Sequence, residues 1–415
     1  MILQEKYFNK LNNWVTKNGW EGWDPYDVFD NKIGLWAGIR GNINQKLVMS
    51  IMSRLNQSHP LLLRKIFGTK KKVNPKGMGL FASAYTEILY ILKNNERYNF
   101  KKNQEACFGW LENNKIVKFG GIGWGYSFDW MSRKKIPKNT PTAVNSTIIG
   151  DAYWKKYKLF SDDRSLLKCK NICEFIMKGL NRTGKTKNGY FCFSYTPLDN
   201  FQVHNANLFA AEFLIRIGLE IDNQEWVDHG LLSANFSINE IREDGTLNYW
   251  SNSQSKDLEQ DTYHSGFEIR SLNKIGVLTK ISEILDASKY YFETWSKDFF
   301  SNSGSPCFVR GDKDITEIHS VAEPILSFNQ FFENDFLEKN IYSKRINDIL
   351  RNSIDLWVDV DEKTGFYAAD KIKNRVNKIP YIRWGQAWMM HAFSNCLLVN
   401  FKKDLDSKDY HQTTT

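Results

Sequence analysis

The sequence predicts an all-α protein, an (α/α)6 toroid or barrel with short β-hairpins in the loops at one mouth. A glycine followed closely by an aromatic residue recurs at intervals of 56 to 66 residues, at Gly123, Gly189, Gly245, Gly304 and Gly365. Self-similarity of that length fits a pair of helices with a decorated connection. After each of these glycines come a turn, a polar loop and a helix that opens with polar residues and then becomes apolar.

The helices of these repeats are of two kinds. Segments 148–153 and 208–217 are apolar on nearly all sides, which is typical of buried helices. Segments 226–241, 280–300 and 342–358 are amphipathic and charged, which is typical of outer helices. About six such pairs would close a barrel, with the starts of the inner helices and the loops before them at one mouth.

We expect a single toroid domain over residues 1–402 and a polar, frayed tail over 403–415. The chain has 415 residues, of which 42% are hydrophobic, and this is enough to form a large buried core. No linker or low-complexity segment interrupts it. The alternative is two helical domains joined near residue 120, since chains of this length usually divide.

Composition limits the classes of partner. The net charge of +9 fits nucleic acid, a membrane surface or an acidic substrate. No nucleic-acid module, P-loop or dinucleotide fingerprint is evident, so we expect neither nucleic acid nor a nucleotide cofactor. The six cysteines have neither zinc-ligand spacing nor the pattern of a disulfide framework. The sequence therefore offers no metal site and no cofactor motif.

The chain lacks the marks of export. Its first residues have no signal-peptide core, and no apolar run reaches the roughly 18 residues of a membrane span. We expect a cytoplasmic protein, and the positive charge is compatible with peripheral association at the inner face of a membrane. The oligomeric state is left open.

The loop that follows Gly123 is rich in aromatic residues. Trp124 and Tyr126 form either an aromatic platform for a sugar or a plug between repeats. Asp129 is a candidate acceptor for sugar hydroxyls, because a carboxylate among aromatic side chains needs a donor or a cation. Arg133 follows as a further candidate for substrate binding.

A second group of polar residues precedes the apolar helix at 208–217. Tyr195 is a candidate phenolic proton donor and His204 a candidate general acid or base. Asp199, Asn205 and Asn207 are candidates for substrate binding, although helix capping explains the two asparagines as well.

Two further inner helices open with histidine. Tyr263 and His264 lie in the first turn of one helix, where the positive end of the dipole favours an anion such as a uronate. His319 opens the next, and Glu323 follows four residues later on the same helical face. We therefore include His264 and Glu323 with Tyr195 and His204 as the proton-transfer candidates.

The last inner helix begins with a different set. Arg383 is a candidate for gripping a carboxylate with two hydrogen bonds. Trp384 and Gln386 are candidates for contacts with the sugar and its hydroxyls.

These motifs resemble a known family. Segments 23–27, 123–151, 194–217 and 244–271 are similar to the VpsJ-type polysaccharide-biosynthesis proteins, over most of the chain. That resemblance implies an (α/α) toroid that takes part in making bacterial exopolysaccharide or lipopolysaccharide. Residues 383–388 are more weakly similar to an inner helix of glucuronyl C5-epimerases, which are also (α/α) barrels, with the first glutamine of that pattern absent.

The favoured hypothesis is an enzyme that modifies an anionic bacterial surface polysaccharide or its lipid-linked oligosaccharide precursor. Within it, uronate C5-epimerisation ranks first, since the acidic C5 proton suits removal by a base and return by a second group. A β-eliminating lyase would use nearly the same residues. A glycoside hydrolase needs two carboxylates, for which Asp129, Asp199 and Glu323 are candidates. A glycan-binding protein of a synthase complex is the alternative outside enzymes.

Overall fold

The computed structural model describes residues 2–92, 97–255, 260–312, 314–373 and 375–413, and most of them are helical. Numbered along the chain, the helices are α1 (Ile2–Asn18), α2 (Lys32–Gly38), α3 (Ile43–Ser58), α4 (Pro60–Phe67), α5 (Pro75–Ile91), α6 (Arg97–Asn113), α7 (Ala143–Phe160), α8 (Asp163–Gly179), α9 (His204–Glu220), α10 (Gln224–Ile238), α11 (Thr262–Thr279), α12 (Ser282–Asp298), α13 (Ile318–Glu333), α14 (Lys339–Ser353) and α15 (Trp388–Thr413).

Six helices form a closed inner ring. Helix α5 packs on α7, α7 on α9, α9 on α11, α11 on α13 and α13 on α15, and α15 returns to α5. Each inner helix has an outer partner: α6, α8, α10, α12 and α14 follow their inner helices in sequence, and α1 packs outside α15. The predicted (α/α)6 toroid is therefore confirmed.

The inner helices are buried because their sequences are apolar or small on every side. All residues of α9 from His204 to Gly218 are buried. Gly79 of α5 lies against Ile149 of α7 so closely that a Cβ would come 2.7 Å from the Ile149 side chain. Small residues at such points allow neighbouring inner helices to approach each other closely.

Side-chain caps fix the starts of the inner helices. Asn74 accepts a hydrogen bond at the start of α5, Thr142 at the start of α7 and Asp261 at the start of α11. Glu317 accepts two backbone N–H groups at the start of α13. These caps satisfy backbone donors that a helix leaves free at its first turn.

The loops carry short antiparallel hairpins, as predicted. The strands are β1 (Glu21–Gly22), β2 (Lys72–Val73), β3 (Ile116–Lys118), β4 (Gly121–Gly123), β5 (Trp130–Met131), β6 (Lys135–Ile136), β7 (Arg182–Thr183), β8 (Cys192–Phe193), β9 (Ile315–Glu317), β10 (Trp357–Asp359), β11 (Gly365–Tyr367), β12 (Asp370–Ile372) and β13 (Arg375–Asn377). Strand β12 lies between β9 and β13 in a three-stranded sheet, and the others pair in twos.

One insertion departs from the repeating plan. Strands β1 and β2 pair with each other, so the chain leaves the toroid at residue 23 and returns at residue 71. The insertion contains α2, α3 and α4, with α3 packed on both of the others. It was not predicted, because these helices belong to no repeat.

Helix α15 runs as far as Thr413, and the polar tail expected over 403–415 stays a prediction. No described helix is both long enough and apolar enough to cross a bilayer.

Candidate active site

A cavity of about 390 Å³ opens at the mouth of the toroid where the inner helices begin. One helical position supplies much of its wall. The second residue of every inner helix lines the cavity, if the π-helical turn 382–387 is taken as the start of α15. These residues are Lys76, Val144, Asn205, Tyr263, His319 and Arg383. Since helix N-termini carry partial positive charge, the cavity is suited to an anionic ligand.

His264 forms a dyad with the residue that caps its own helix. The Asp261 carboxylate accepts the backbone N–H of His264 at 2.8 Å and lies 2.6 Å from its Nδ1 atom. A carboxylate at Nδ1 fixes the proton there and leaves Nε2 as the nitrogen that can exchange a proton with a ligand. The ring lines the cavity and contacts Tyr249 and Tyr263, at centroid distances of 4.5 and 4.2 Å.

Two tyrosines of opposite proton affinity line the other side of the site. Tyr195 hydrogen-bonds to Tyr126, and Lys76 is a second hydrogen-bond partner of Tyr126. Burial alone would raise the pKa of Tyr126, but Lys76, Arg383 and the bond from Tyr195 hold it below its usual value of 10. Burial and the neighbouring Tyr126 raise the pKa of Tyr195 well above that value. Tyr126 is thus the phenol that ionises first.

His319 is buried without a hydrogen-bond partner at either ring nitrogen among the described residues. Its ring stacks on Tyr263 with a centroid distance of 4.3 Å and on Trp388 at 4.7 Å. Burial, with Lys76 and Arg383 nearby, holds the pKa of His319 well below 6.5. A neutral imidazole with free nitrogens is therefore available to a ligand in the cavity.

Asn205 presents a further free acceptor. It is buried in the second position of α9, and its Oδ1 atom has no partner among the described residues. Val203 occupies the cap position of α9, so capping does not account for Asn205.

Arg383 reaches the cavity but is already paired. Its Nε atom donates to Asp24 Oδ2 at 2.5 Å and its Nη2 to Asp24 Oδ1 at 2.9 Å, with both side chains buried. The bidentate grip predicted for a substrate carboxylate is thus occupied by a residue of the protein. Arg383 instead acts on Tyr126, whose ring centroid lies 5.4 Å from the guanidinium carbon.

None of the described residues that line the cavity is an aspartate or a glutamate. The charged side chains of the wall are Arg40, Lys76 and Arg383, beside the two histidines. The remaining wall is mostly aromatic, and Trp130, Trp250 and Trp384 offer faces of the kind on which sugars stack. Arg133 lies exposed outside this wall, with its guanidinium 3.9 Å from the Trp250 ring.

The structure places two of the predicted proton-transfer residues away from the cavity. His204 is the first residue of α9, one position before the residue that lines the cavity. One residue turns a helical side chain by about 100°, and both of its nitrogens bond outside the cavity, to Ser237 at 2.9 Å and Glu240 at 3.1 Å. Glu323 forms a buried ion pair with Arg270 and does not line the cavity.

Three residues predicted to bind substrate serve the loops and the core instead. Trp124 is fully buried and donates from Nε1 to the Leu111 carbonyl, so the plug interpretation holds. Asp129 pairs with Lys135 at 2.7 Å. Asp199 accepts three backbone N–H groups of its own loop, at residues 195, 196 and 201.

Asn207 and Gln386 are also structural. Asn207 receives the Phe193 N–H at 2.8 Å and donates to the Ser233 carbonyl at 2.8 Å, which joins α9 to β8 and α10. Gln386 forms two hydrogen bonds with the backbone of Tyr367. Neither residue lines the cavity.

Several residues of the site were missed. Lys76, Tyr26, Tyr249 and Arg40 line the cavity, and Asp24 lies directly behind it. The helical register carried a signal for Lys76, since it follows the Asn74 cap by two residues, as Tyr263 follows Asp261. Arg40 belongs to the insertion and had no such signal.

Among the described residues, no group of three or more histidine, cysteine, aspartate or glutamate side chains is placed to hold a metal ion. The described side chains of the cavity wall that can transfer a proton are phenols, imidazoles and a lysine.

Solved structures of other proteins have the same fold. No family model matches the sequence, and no curated protein matches it. The Lin0763 protein from Listeria innocua is 11% identical with a TM-score of 0.62, over 97% of this chain and 98% of that one. Cellobiose 2-epimerase from Bacillus thermoamylovorans is 11% identical with a TM-score of 0.58, over 79% and 87%.

A third solved structure is an inactive variant of an α-1,6-mannanase from Salegentibacter, with two consecutive aspartates changed to asparagine, in complex with α-1,6-mannotriose. It is 12% identical with a TM-score of 0.57, over 79% of this chain and 91% of that one. At these identities the likeness establishes the toroid fold, which this chain shares with enzymes that epimerise or cleave sugars.

Proposed function

We propose that the protein is a carbohydrate epimerase that moves the proton at C5 of a uronate in an anionic glycan. The observation that carries this proposal is the composition of the cavity wall, which holds Lys76, Arg40 and helix N-termini but no described carboxylate. Such a wall favours a negatively charged sugar, because the cations attract it and no described carboxylate of the wall repels it.

Two proton-transfer groups are placed on different sides of the ring. In the order α5, α7, α9, α11, α13, α15, helix α11 is three places from α5. His264 belongs to α11, and Tyr126 contacts Lys76 of α5. Epimerisation needs a base on one face of the sugar and an acid on the other, and this arrangement provides both.

The proposed reaction proceeds through an enolate. The Tyr126 phenolate takes the C5 proton, and the electrons of the broken C–H bond move into the uronate carboxyl group. Lys76 is placed to stabilise the charge that develops there, and the free Oδ1 atom of Asn205 can accept a hydrogen bond from a sugar hydroxyl. His264, protonated on both nitrogens and paired with Asp261, returns a proton to C5 from the opposite face. Exchange with water restores both groups.

A hydrolase is less well supported. The three carboxylates considered for it, Asp129, Asp199 and Glu323, are held in ion pairs or loop bonds away from the cavity. The consecutive aspartates Asp162 and Asp163 lie at the start of the outer helix α8, whereas the mannanase variant lost activity with two such residues.

The likeness to a 2-epimerase supports proton transfer at a sugar carbon on this fold, and the resemblance to the VpsJ-type proteins supports a polysaccharide pathway. On that basis we propose that the substrate is a bacterial surface polysaccharide or its lipid-linked precursor.

Proton NMR of uronate-containing glycans incubated with the protein in D2O tests the proposal. We expect deuterium at C5 and a new C5 epimer, without chain cleavage. An unsaturated uronate, seen by its ultraviolet absorbance, would assign a lyase, and new reducing ends without unsaturation would assign a hydrolase. Binding with no exchange at any carbon would leave a glycan-binding protein.

A further inference from the structure

We infer that the insertion α2–α4 docks the protein onto the surface of an anionic lipid bilayer. The first observation is an exposed apolar face on three consecutive helices. In α3 the exposed residues Ile43, Leu47, Ile51 and Leu55 follow each other at every fourth position, so they lie on one side of the helix. Ile43 is 77% exposed.

The neighbouring helices of the insertion carry further exposed apolar side chains. Six more large apolar side chains are exposed on or beside α2 and α4, namely Ile33, Trp36, Ile39, Leu61, Leu62 and Ile66. Soluble surfaces seldom carry so many apolar side chains close together, and such a surface marks an interaction site.

The charge of the same segment indicates what covers it. Residues 31–72 contain no aspartate or glutamate but nine lysines and arginines. Eight of these nine are exposed, and among the described residues Lys46, Arg54 and Lys65 form no ion pair. Amphipathic helices with apolar residues on one side and lysine or arginine beside them lie in the interface of anionic bilayers.

The buried exception, Arg64, ties α4 to the first residues of the insertion. Its Nη2 group donates to the Asp24 carbonyl at 2.8 Å and to the Asp27 carboxylate at 3.0 Å. Asp24 is the same residue that binds Arg383 at the cavity. The insertion is therefore a rigidly attached element beside the mouth, and its inner side lines the cavity through Leu35 and Met49.

This inference concerns binding and does not depend on the reaction at the site. A cavity wall made by a membrane-docked element would face a glycan that is attached to a lipid. An anionic bilayer is favoured over a protein partner because the surface combines scattered cations with an apolar face. In addition, residues 31–72 contain no aspartate or glutamate.

Co-sedimentation of the full chain with vesicles provides the test. We expect binding to vesicles of phosphatidylcholine mixed with phosphatidylglycerol, weak binding to phosphatidylcholine alone, and a decrease as salt is raised. The variant K46E/R54E/K65E should weaken binding by about a hundredfold or more, since each cation near an anionic surface contributes about fivefold.

The variant I43S/L47S/I51S should also lose binding, because the apolar face inserts beside the headgroups. Matched controls outside the insertion are V117S/L167S/I341S and K185E/K187E/K339E, whose parent residues are also exposed. Both controls should bind vesicles as the unchanged protein does.

Three results would overturn the inference. One is no binding to anionic vesicles at low salt. Another is unchanged vesicle binding by the serine variant, which would indicate attraction of any polyanion. The third is a dimer without lipid that the serine variant converts to a monomer, which would assign the face to a second copy of the chain.

Discussion

Tyr126 and Tyr195 are two phenols in hydrogen-bond contact whose proton affinities are shifted in opposite directions. The difference comes from their neighbours, since Lys76 and Arg383 act on Tyr126 while burial dominates at Tyr195. Such a pair gives one group that is ionised and one that donates to it. In the proposed reaction Tyr126 is the base, and Tyr195 orients and stabilises its ionised form.

The pKa shift of Tyr126 predicts a pH profile. Because the phenolate is the active form of Tyr126, C5 exchange should rise with pH along a limb set by the lowered pKa of Tyr126, and it should fall where His264 no longer holds its second proton. Y126F should reduce the exchange rate by about 10²–10⁴, the usual contribution of a general base. K76M should move the rising limb to higher pH, because it removes the cation that lowers the pKa of Tyr126. Y90F, a change at an exposed tyrosine, should leave the profile unaltered.

Asp261 is expected to position His264 and not to touch the substrate. D261N keeps a side chain that caps helices well, so α11 should retain its stability. The loss of the charge at Nδ1 should lower kcat by about 10²–10⁴ with little change in KM. Both D261N and H264A should have a lower kcat, and both should keep the circular dichroism spectrum of the unchanged protein. A kcat equal to that of the unchanged protein would remove the dyad from the mechanism.

At the scale of helices, the apolar and amphipathic segments predicted the inner and outer positions well. Segment 208–217 is inside α9 and segment 342–358 overlaps α14, because burial on all sides or on one side is visible in the residue pattern. The site was harder to predict. His204 and His264 follow similar loops, but His204 is the first residue of its helix and His264 the third, and that difference alone directs one to α10 and the other to the cavity.

Ion pairs between residues that lie far apart in the chain could not be predicted from the sequence. Arg383 looked free to bind a carboxylate because its partner, Asp24, lies 359 residues away in the chain. The same holds for Glu323, whose partner Arg270 is on the adjacent inner helix. The local sequence pattern indicates the position of a residue in its helix, whereas the closed ring of helices determines which charged group its side chain contacts.

His204 should therefore matter to the contact between α9 and α10 and not to catalysis. H204A removes hydrogen bonds to Ser237 and Glu240 in a buried place, so the free energy of unfolding should fall by about 1–3 kcal/mol. Urea denaturation measures this loss. H264A should show the opposite pattern, with stability retained and exchange abolished. A catalytic defect in H204A at unchanged stability would restore its predicted role.

At the scale of the whole molecule, buried titratable groups act on stability in opposite directions. The pKa of His319 is lowered by burial, so its contribution is complete above pH 6.5 and is lost as pH falls below that value. Burial raises the pKa of Glu317 to about 8, and that group stabilises the fold more as pH falls toward its unfolded value of 4.5. The net slope between pH 5 and 8 thus reflects a partial cancellation.

A difference measurement isolates the histidine. H319F keeps a ring stacked on Tyr263 but does not bind a proton. Between pH 7.5 and 5.5 its free energy of unfolding should improve relative to the unchanged protein by about 1.4 kcal/mol. Urea titrations at the two pH values give this quantity, with H59F at an exposed position as the control. An equal pH response in H319F and the unchanged protein would mean that His319 binds a proton in the folded protein as readily as in the unfolded chain.

The ring is closed by α15, which packs on α1 and α5 and whose leading turn carries Arg383 to Asp24. While the ribosome is still making the middle of the chain, α1 and α5 therefore lack α15 as a neighbour. Asp24 then also lacks Arg383, with which it pairs in the folded protein. Completion of the barrel must wait until the segment around residue 383 has emerged from the exit tunnel. Until then the nascent chain exposes the apolar sides of α1 and α5, and exposed apolar surface of this kind is prone to aggregation.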